Sequence, residues 1–238
     1  MSKEIDIGGH ISQQFNEELE DIRNRVMEMG GMVEQQLADA IRSLADRDSA
    51  LAEKVVSTDY KVNAMEVNID EECTHVLARR QPAAKDLRLV MAVIKTITDL
   101  ERIGDEAERI GIMSLELVDA SDVLRSAFLE IEHLGNHVRG MLRDALDAFA
   151  RLDVELAVRV AKEDLKVDLE YEAVLRHLIT YMMEEPRTIP RALHAIWAAR
   201  SLERIGDRAR NICEYVIYLV KGRDVRHTSL EQMEAEVT

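Results

Sequence analysis

The sequence predicts an all-α protein made of two tandem homologous three-helix bundles, six long helices in total. Three observations predict it. Ala, Leu, Glu, Arg and Met are abundant, while the 238 residues hold only ten glycines, three prolines and few aromatics, a composition that favours helix over sheet in nearly every window. The pentapeptide Glu-Arg-Ile-Gly-Asp occurs twice, at Glu101 to Asp105 and at Glu203 to Asp207. All three prolines, Pro82, Pro186 and Pro190, fall at the same break in the two copies, where a proline ends one helix and permits the next.

The duplication extends beyond the pentapeptide. Leu37-Ala38-Asp39-Ala40 matches Leu142-Arg143-Asp144-Ala145, and Asp59-Tyr60-Lys61-Val62 matches Asp164-Leu165-Lys166-Val167. From Leu87 against Ile189 the match resumes at a slightly different offset. The two copies therefore differ by a short indel between their second and third helices, as loops allow. The first copy spans 10–118, the second 119–222, and a polar tail covers 223–238.

Helices are expected at 12–46, 49–80 and 83–117, then at 122–151, 154–184 and 189–220. Asp48 and Asp153 are placed to cap two of them, and Asp119 to Asp122 forms the hinge between copies. Gly222 stops the last helix, and the tail beyond Lys221 is a short helix or frayed. Helices of about 30 residues run to some 45 Å, so both bundles are elongated.

In the third helix of the first copy, Val90, Val93, Ile97, Leu100, Gly104, Ala107 and Gly111 recur at three- and four-residue steps and define a packed seam. Ala192, Ala195, Ala199, Leu202, Gly206, Ala209 and Cys213 repeat it in the second. A mid-helix glycine costs about 1 kcal/mol relative to alanine, and close approach of a neighbouring helix compensates. Glu101, Asp105, Glu203 and Asp207 each follow a seam residue by one position, about 100° around the helix, which places them on a flank that solvent reaches.

Two carboxylates four residues apart repel by a few tenths of a kcal/mol, so a cation belongs between them. Two readings fit. In one, the acids pair with basic neighbours: Asp105 has Arg109 four residues on, and Asp207 has Arg210 three on. In the other they hold a metal. The acid pair is constant between copies while the basic partner moves, which pairing does not require. Asp59 with Asn63, and Asp164 with Asp168, add oxygen ligands from the second helices. Such sites suit hard or borderline cations such as Mg, Mn, Ca or Fe ahead of structural zinc, and the sequence does not separate Fe, Mn, Mg, Zn and Ca.

A net charge of −15 with no large basic run speaks against nucleic acid or anionic lipid as a direct partner. The first nine residues lack an apolar signal core, and the apolar runs fall far short of the roughly 20 residues of a membrane span. Cys73 and Cys213 have neither metal-ligand nor redox spacing and read as small apolar residues of a reducing, cytoplasmic compartment.

Catalysis finds little support. Glu72-Cys73-Thr74-His75 and Glu130-Ile131-Glu132-His133 match the Glu-x-x-His pattern of di-iron carboxylate bundles, but they fall at non-equivalent places in the two copies. His133 and His137, four apart on a polar face, read as solvated. No phosphate-cradling glycine loop, nucleophile with an oriented base, or His-Glu-x-x-His is present. A metal-dependent carboxylate-bundle oxidoreductase or metal-storage protein is the alternative from another class. Trp197 is expected at the bundle interior or between copies, and Met182-Met183 in the core. Arg79, Arg80, Lys85 and Arg88 concentrate positive charge at one helix-joining turn, which reads either as a solvated tip or as a place for a partner protein to dock.

With the tandem three-helix units, the duplicated pentapeptide, the Ala78 to Leu87 turn, Asn211-Ile212-Cys213-Glu214-Tyr215 and the Val220 to Asp224 ending in view, the chain resembles the PhoU family over almost its whole length. That family comprises bacterial accessory and regulatory proteins of phosphate-specific transport. The resemblance implies a non-enzymatic, cytoplasmic negative regulator of the phosphate-starvation response. It would be dimeric, would modulate phosphate uptake, and would join the transporter's ATPase subunit to a sensor histidine kinase at the membrane periphery. It also implies metal binding at the Glu/Asp-x-x-x-Asp motif, hence at Glu101 and Asp105 and at Glu203 and Asp207.

Overall fold

Asp48 and Asp153 do the same work at equivalent corners. Arg47 and Leu152 both adopt the left-handed conformation, with φ of 55° in each case, and each turns the end of a helix back on itself. The next residue caps the following helix: the Leu51 amide donates to Asp48 Oδ1 at 3.0 Å, and the Leu156 amide to Asp153 Oδ1 at 2.9 Å. Both caps follow the sequence expectation.

The computed structural model describes residues 7–82, 84–118, 124–226 and 228–237, with the backbone alone for 7–12 and 237. All regular structure among them is helical: α1 Ile7–Asp46, α2 Ser49–Thr58, α3 Tyr60–Arg80, α4 Ala84–Leu117, α5 Arg125–Arg151, α6 Val154–Glu184, α7 Ile189–Lys221 and α8 Leu230–Val237. A single 3₁₀ turn, Pro186–Thr188, links α6 to α7. The expected inter-copy hinge at 119–122 lies outside the described residues.

The expected second helix, 49–80, is divided at Asp59 into α2 and α3. Ser57 and Thr58 both return hydroxyl hydrogen bonds to the Lys54 carbonyl, at 3.2 and 2.8 Å. Such back-bonding competes with the helix ladder and bends it. The second copy has Lys162 and Glu163 at those positions, and α6 runs unbroken. Asp59 keeps helical torsions, so the two segments still form one rod.

The bundles α1–α4 and α5–α7 lie side by side, α4 against α7 and α1 against α5. Their contacts are reciprocal. A Cβ on Gly30 of α1 would lie 2.6 Å from Leu146 of α5, and one on Gly135 of α5 would lie 2.8 Å from Ile41 of α1. Gly30 corresponds to Gly135 and Ile41 to Leu146, so each copy seats its aliphatic knob over the other's glycine, as a two-fold interface requires. The same reciprocity relates Arg208 donating to Asp99 at 3.2 Å and Ser201 donating to Glu106 at 2.7 Å across α4 and α7. A large apolar core results, from Leu19 through Ile97 and Phe149 to Met233, with a small separate cluster of Ala92, Tyr215 and Leu219.

Two apolar placements differ from expectation. Trp197 is 52% exposed and Met183 78% exposed, whereas Met182 is partly buried against the core. Trp197 sits two residues from the seam positions Ala195 and Ala199, about 200° around the helix, so its register faces it outward despite its apolar ring. The tail folds as α8 against α6, burying Val225 and Met233 completely or nearly so. Cys73 and Cys213 are free, buried and apolar in setting, and burial pushes both thiols up, Cys73 to about 12.

Candidate metal centre

Gly104 opens the first site. Without a side chain there, Asp59 Oδ1 lies 3.2 Å and Gln36 Oε1 3.3 Å from the position a Cβ would take. The glycine of the repeated pentapeptide thus lets α1 and the α2–α3 rod deliver oxygen atoms onto α4. Asp59, Asp105 and Glu108 bring one carboxylate oxygen each to within 4.8 Å of one another. Of these, Asp59 and Asp105 are expected from sequence. Glu108 is not, although it lies three residues past Asp105 and therefore on the same helical face.

Among the described residues, the Asp59 carboxylate accepts from two side-chain amides. Gln36 Nε2 donates to Oδ1 at 2.9 Å and Asn63 Nδ2 to Oδ2 at 3.0 Å. The carbonyl oxygens of both amides, Gln36 Oε1 and Asn63 Oδ1, are buried without a hydrogen-bond partner. Gln36 itself is 7% exposed. Buried acceptors are ordinarily satisfied, so orphaned oxygens beside three carboxylates mark a place that lacks positive charge.

Among the described residues neither Asp105–Arg109 nor Asp207–Arg210, the pairs of the ion-pair reading, forms. Arg109 turns to Glu106, and Arg210 reaches across to Asp164 Oδ2 at 3.0 Å and to Glu214 at 3.3 Å. Glu101 and Asp105 are half-buried and make no ion pair among the described residues. Burial pushes the Glu101 carboxyl above the ordinary range, with the charges of Asp105 and Glu66 adding to it. Burial raises Asp105 too, followed by repulsion from Asp59, and the same causes raise Glu108. Burial also raises Glu66, which joins from α3. In all four carboxyls burial is the first cause of the rise, and neighbouring carboxylates add to it.

The second site repeats the skeleton with different charges. Gly206 admits Asp164 Oδ1 to 3.7 Å of a Cβ position, and Glu203, Asp207 and Asp168 surround it. Their carboxyls are also raised, by burial first and then by mutual repulsion among Asp164, Asp168 and Asp207. Here, however, two guanidinium groups have moved in. Arg210 stands where the first copy has Glu108, and Arg200, bonded to Glu203 at 2.5 Å, stands where it has Thr98. Arg200 also lies 5.6 Å over the Tyr171 ring, which replaces Glu66. Met141 replaces Gln36. Glu203, expected on a solvent-reachable flank, is 8% exposed, whereas Asp207 is exposed. Asp164 Oδ1 and Glu203 Oε2 remain buried and unpartnered.

The two Glu-x-x-His motifs do not form a centre. Glu72 pairs with Arg25, and Glu130 with His177 on α6. At the basic turn, Arg80 is committed to Glu18, donating twice at 3.0 and 2.6 Å. Arg79 and Lys85 are exposed, and Arg88 lies 3.6 Å from a Gly222 Cβ position at the end of α7.

The PhoU domain family matches residues 26–112 and 131–216, most of both bundles. The chain belongs to the PhoU family. It is 56% identical over 228 residues, 96% of this chain and 89% of the other, to the phosphate-specific transport system accessory protein PhoU homologue of Pseudomonas putida. To the PhoU accessory protein of Escherichia coli K12 it is 54% identical over 230 residues, 97% and 95% of the two chains. The crystal structure of PhoU from Pseudomonas aeruginosa superposes with a TM-score of 0.85 at 54% identity, covering 88% of this chain and all of that one. PhoU from Streptococcus pneumoniae, described as a phosphate transport system regulatory protein, superposes with a TM-score of 0.81 at 28% identity, covering 89% and 99%. The PhoU fold is thus the duplicated bundle described above, and no helix among the described residues is long and apolar enough to cross a membrane.

Proposed function

We propose that this PhoU-family protein is an accessory regulator of a phosphate-specific transport system. In this reading it restrains phosphate uptake and represses the phosphate-starvation response as a homodimeric adaptor between the transporter's ATPase subunit and a sensor histidine kinase, without catalysis of its own. The observation that carries the accessory role is its identity of more than half to accessory proteins of that system along nearly the whole chain.

A bound divalent or trivalent cation is part of the proposal. The residues fit one: hard oxygen donors, raised carboxyls, and the orphaned Gln36 Oε1 beside Gly104. Asp59, Asp105 and Glu108 would hold it in the first bundle, with Glu101 and Glu66 supplying further negative charge. Glu203, Asp207, Asp164 and Asp168 form the weaker site, because Arg200 and Arg210 already supply compensation there. The cation supplies positive charge that lets an acidic face meet an acidic partner. The chain's own residues keep that face in shape: Gly104 holds the helices close, and Asn63 and Gln36 fix the Asp59 carboxylate.

Pull-down of the ATPase subunit and the kinase, with and without chelator, tests the adaptor role. A reporter of the phosphate-starvation response in cells carrying Glu101→Gln with Asp105→Asn tests the link to metal. Capture of both partners by the wild type and loss of repression in the variant are expected. Neither partner captured, or repression and metal content both unchanged in the variant, would contradict the reading.

A further inference from the structure

Between α1 and α3 the first bundle holds a cavity of about 480 Å³. Its floor is Ile22 and Val76, both buried, and its walls carry Asp21, Arg25, Glu72, His75 and Arg79. Arg25 bonds Glu72 across it. In the alignment that pairs Gly30 with Gly135 and Asp59 with Asp164, Glu130 and His177 stand where the first bundle has Arg25 and Glu72. His177 Nδ1 lies 2.8 Å from Glu130, so the bridging pair is kept with the acid on the other helix. The floor is not kept. Val76 corresponds to Tyr181 and Asp21 to Ser126. The Tyr181 ring packs on the core and stacks on His177 with centroids 4.7 Å apart, and its hydroxyl lies 2.6 Å from Ser126 Oγ. One bundle spans the gap between its first two rods with a phenol ring of its own; the other, with Val76, leaves the space open.

We propose that this cavity binds a small phenol-like aromatic molecule carrying an anionic group, which takes the place that Tyr181 fills from within in the second bundle. The proposal is independent of the regulatory reading above. The volume falls in the range of roughly 300–1,000 Å³ that small-molecule sites occupy, and an apolar floor with a few polar groups on the walls is their usual lining. The ring lies over Ile22 and Val76. Its hydroxyl, directed to α1 as the Tyr181 hydroxyl is directed to α5, donates to the Asp21 carboxylate. A hydrogen bond to a charged acceptor is stronger than one between two hydroxyls.

The opposite end of the ring fixes the anionic group. In the second bundle that end joins the Tyr181 backbone on α6, and the corresponding point in the first bundle lies on α3 at Val76. His75 is adjacent to Val76 and Arg79 is three residues on, hence on the same helical face. Where the ring is built in, those two positions are Thr180 and Glu184. The groups suited to an anion therefore occur in the copy with the open space. Among the described residues Asp21, His75 and Arg79 make no hydrogen bond or ion pair of their own. Arg80, beside them, is spent on Glu18, which leaves Arg79 to grip a carboxylate with its planar fork of donors. An imidazole N–H of His75 supplies a further donor.

The test is titration of chelator-stripped full-length protein with 4-hydroxyphenylacetate, read by the methyl resonances of isoleucine and valine. Those of Ile22 and Val76 should shift and that of Val174 in the second bundle should not, with a Kd of about 1 mM or tighter for a ligand of this size. Phenylacetate, which lacks the hydroxyl, should bind at least about tenfold more weakly. Arg79→Ala should weaken 4-hydroxyphenylacetate several-fold and leave p-cresol, which has no carboxylate, unchanged. Val76→Tyr/Asp21→Ser, which copies the second bundle, should abolish binding by filling the space. Asp21 is exposed, so Asp21→Ala keeps the fold, checked by circular dichroism, and should remove the advantage of 4-hydroxyphenylacetate over phenylacetate. No shift at Ile22 and Val76, equal affinity of the wild type for the two acids, or affinity untouched by Asp21→Ala and Arg79→Ala would each overturn the proposal.

Discussion

Glu108 and Arg210 occupy the same helical position in the two bundles and carry opposite charge. Glu108 joins Asp59 and Asp105 within 4.8 Å, whereas Arg210 bonds Asp164, the counterpart of Asp59, at 3.0 Å. One copy concentrates negative charge and the other brings its own cation to the same place. Arg210→Glu is therefore expected to raise Mn²⁺ uptake by about one equivalent per chain, because it recreates an oxygen-rich set. Glu108→Arg should do the reverse, lowering uptake and raising the melting temperature of metal-free protein by a few degrees, about 2–4 °C for each kcal/mol in a chain of this size. Elemental analysis and thermal melts of the two variants check both outcomes.

Gly104→Ala separates stability from binding. Alanine favours the helix by about 1 kcal/mol, but its Cβ would meet Asp59 Oδ1 at 3.2 Å and Gln36 Oε1 at 3.3 Å. Both side chains must yield by a few tenths of an ångström. The melting temperature is expected to hold or rise while Mn²⁺ affinity falls several-fold, as read by calorimetry on the same preparation.

Metal-free protein should gain stability on mild acidification. The folded-state carboxyls of Glu66, Glu101, Asp105 and Glu108 lie above their ordinary values of 4.5 for glutamate and 3.8 for aspartate. In the window between those values and the raised ones, the folded chain binds more protons than the unfolded chain, so stability rises as pH falls through it. Asp39, Glu18 and Glu163 oppose this at lower pH, since their carboxyls lie below the ordinary range and lose stabilising charge there. Melts from pH 7 downward should show a rise and then a fall, and saturating Mn²⁺ should remove the rise.

Much of this was legible in the sequence because it is local. The caps at Asp48 and Asp153, the seam through Gly104 and Gly206, and the acid pairs at spacing four all depend on neighbours along one helix. The rest depends on convergence. Gln36 and Glu66 reach the first site from α1 and α3, and no spacing in the chain announces that meeting. Glu108 was accessible in principle, being seven residues past Glu101 on the same face. Trp197 and Met183 were misplaced because residue type was weighed ahead of register.

Across the bundles, Tyr215 donates to buried Asp99 Oδ2 at 2.7 Å, while Arg208 and Asn211 hold the other oxygen at 3.2 and 3.3 Å. Burial and the Asp99 charge both raise the Tyr215 hydroxyl, which stays a donor throughout the accessible pH range. Tyr215→Phe removes one of three donors to a buried carboxylate and is expected to cost about 1–3 kcal/mol. Denaturant unfolding checks the figure. A single cooperative transition in both proteins would show that the two bundles unfold as one unit.

The most direct test of the central claim is calorimetric titration of Mn²⁺ into chelator-stripped wild type and into Asp59→Asn/Asp105→Asn. The wild type should bind, and the double variant should lose its tightest site, with affinity falling by at least about 100-fold because two anionic ligands are gone. An unchanged isotherm in the double variant would contradict the claim that Asp59, Asp105 and Glu108 hold the cation.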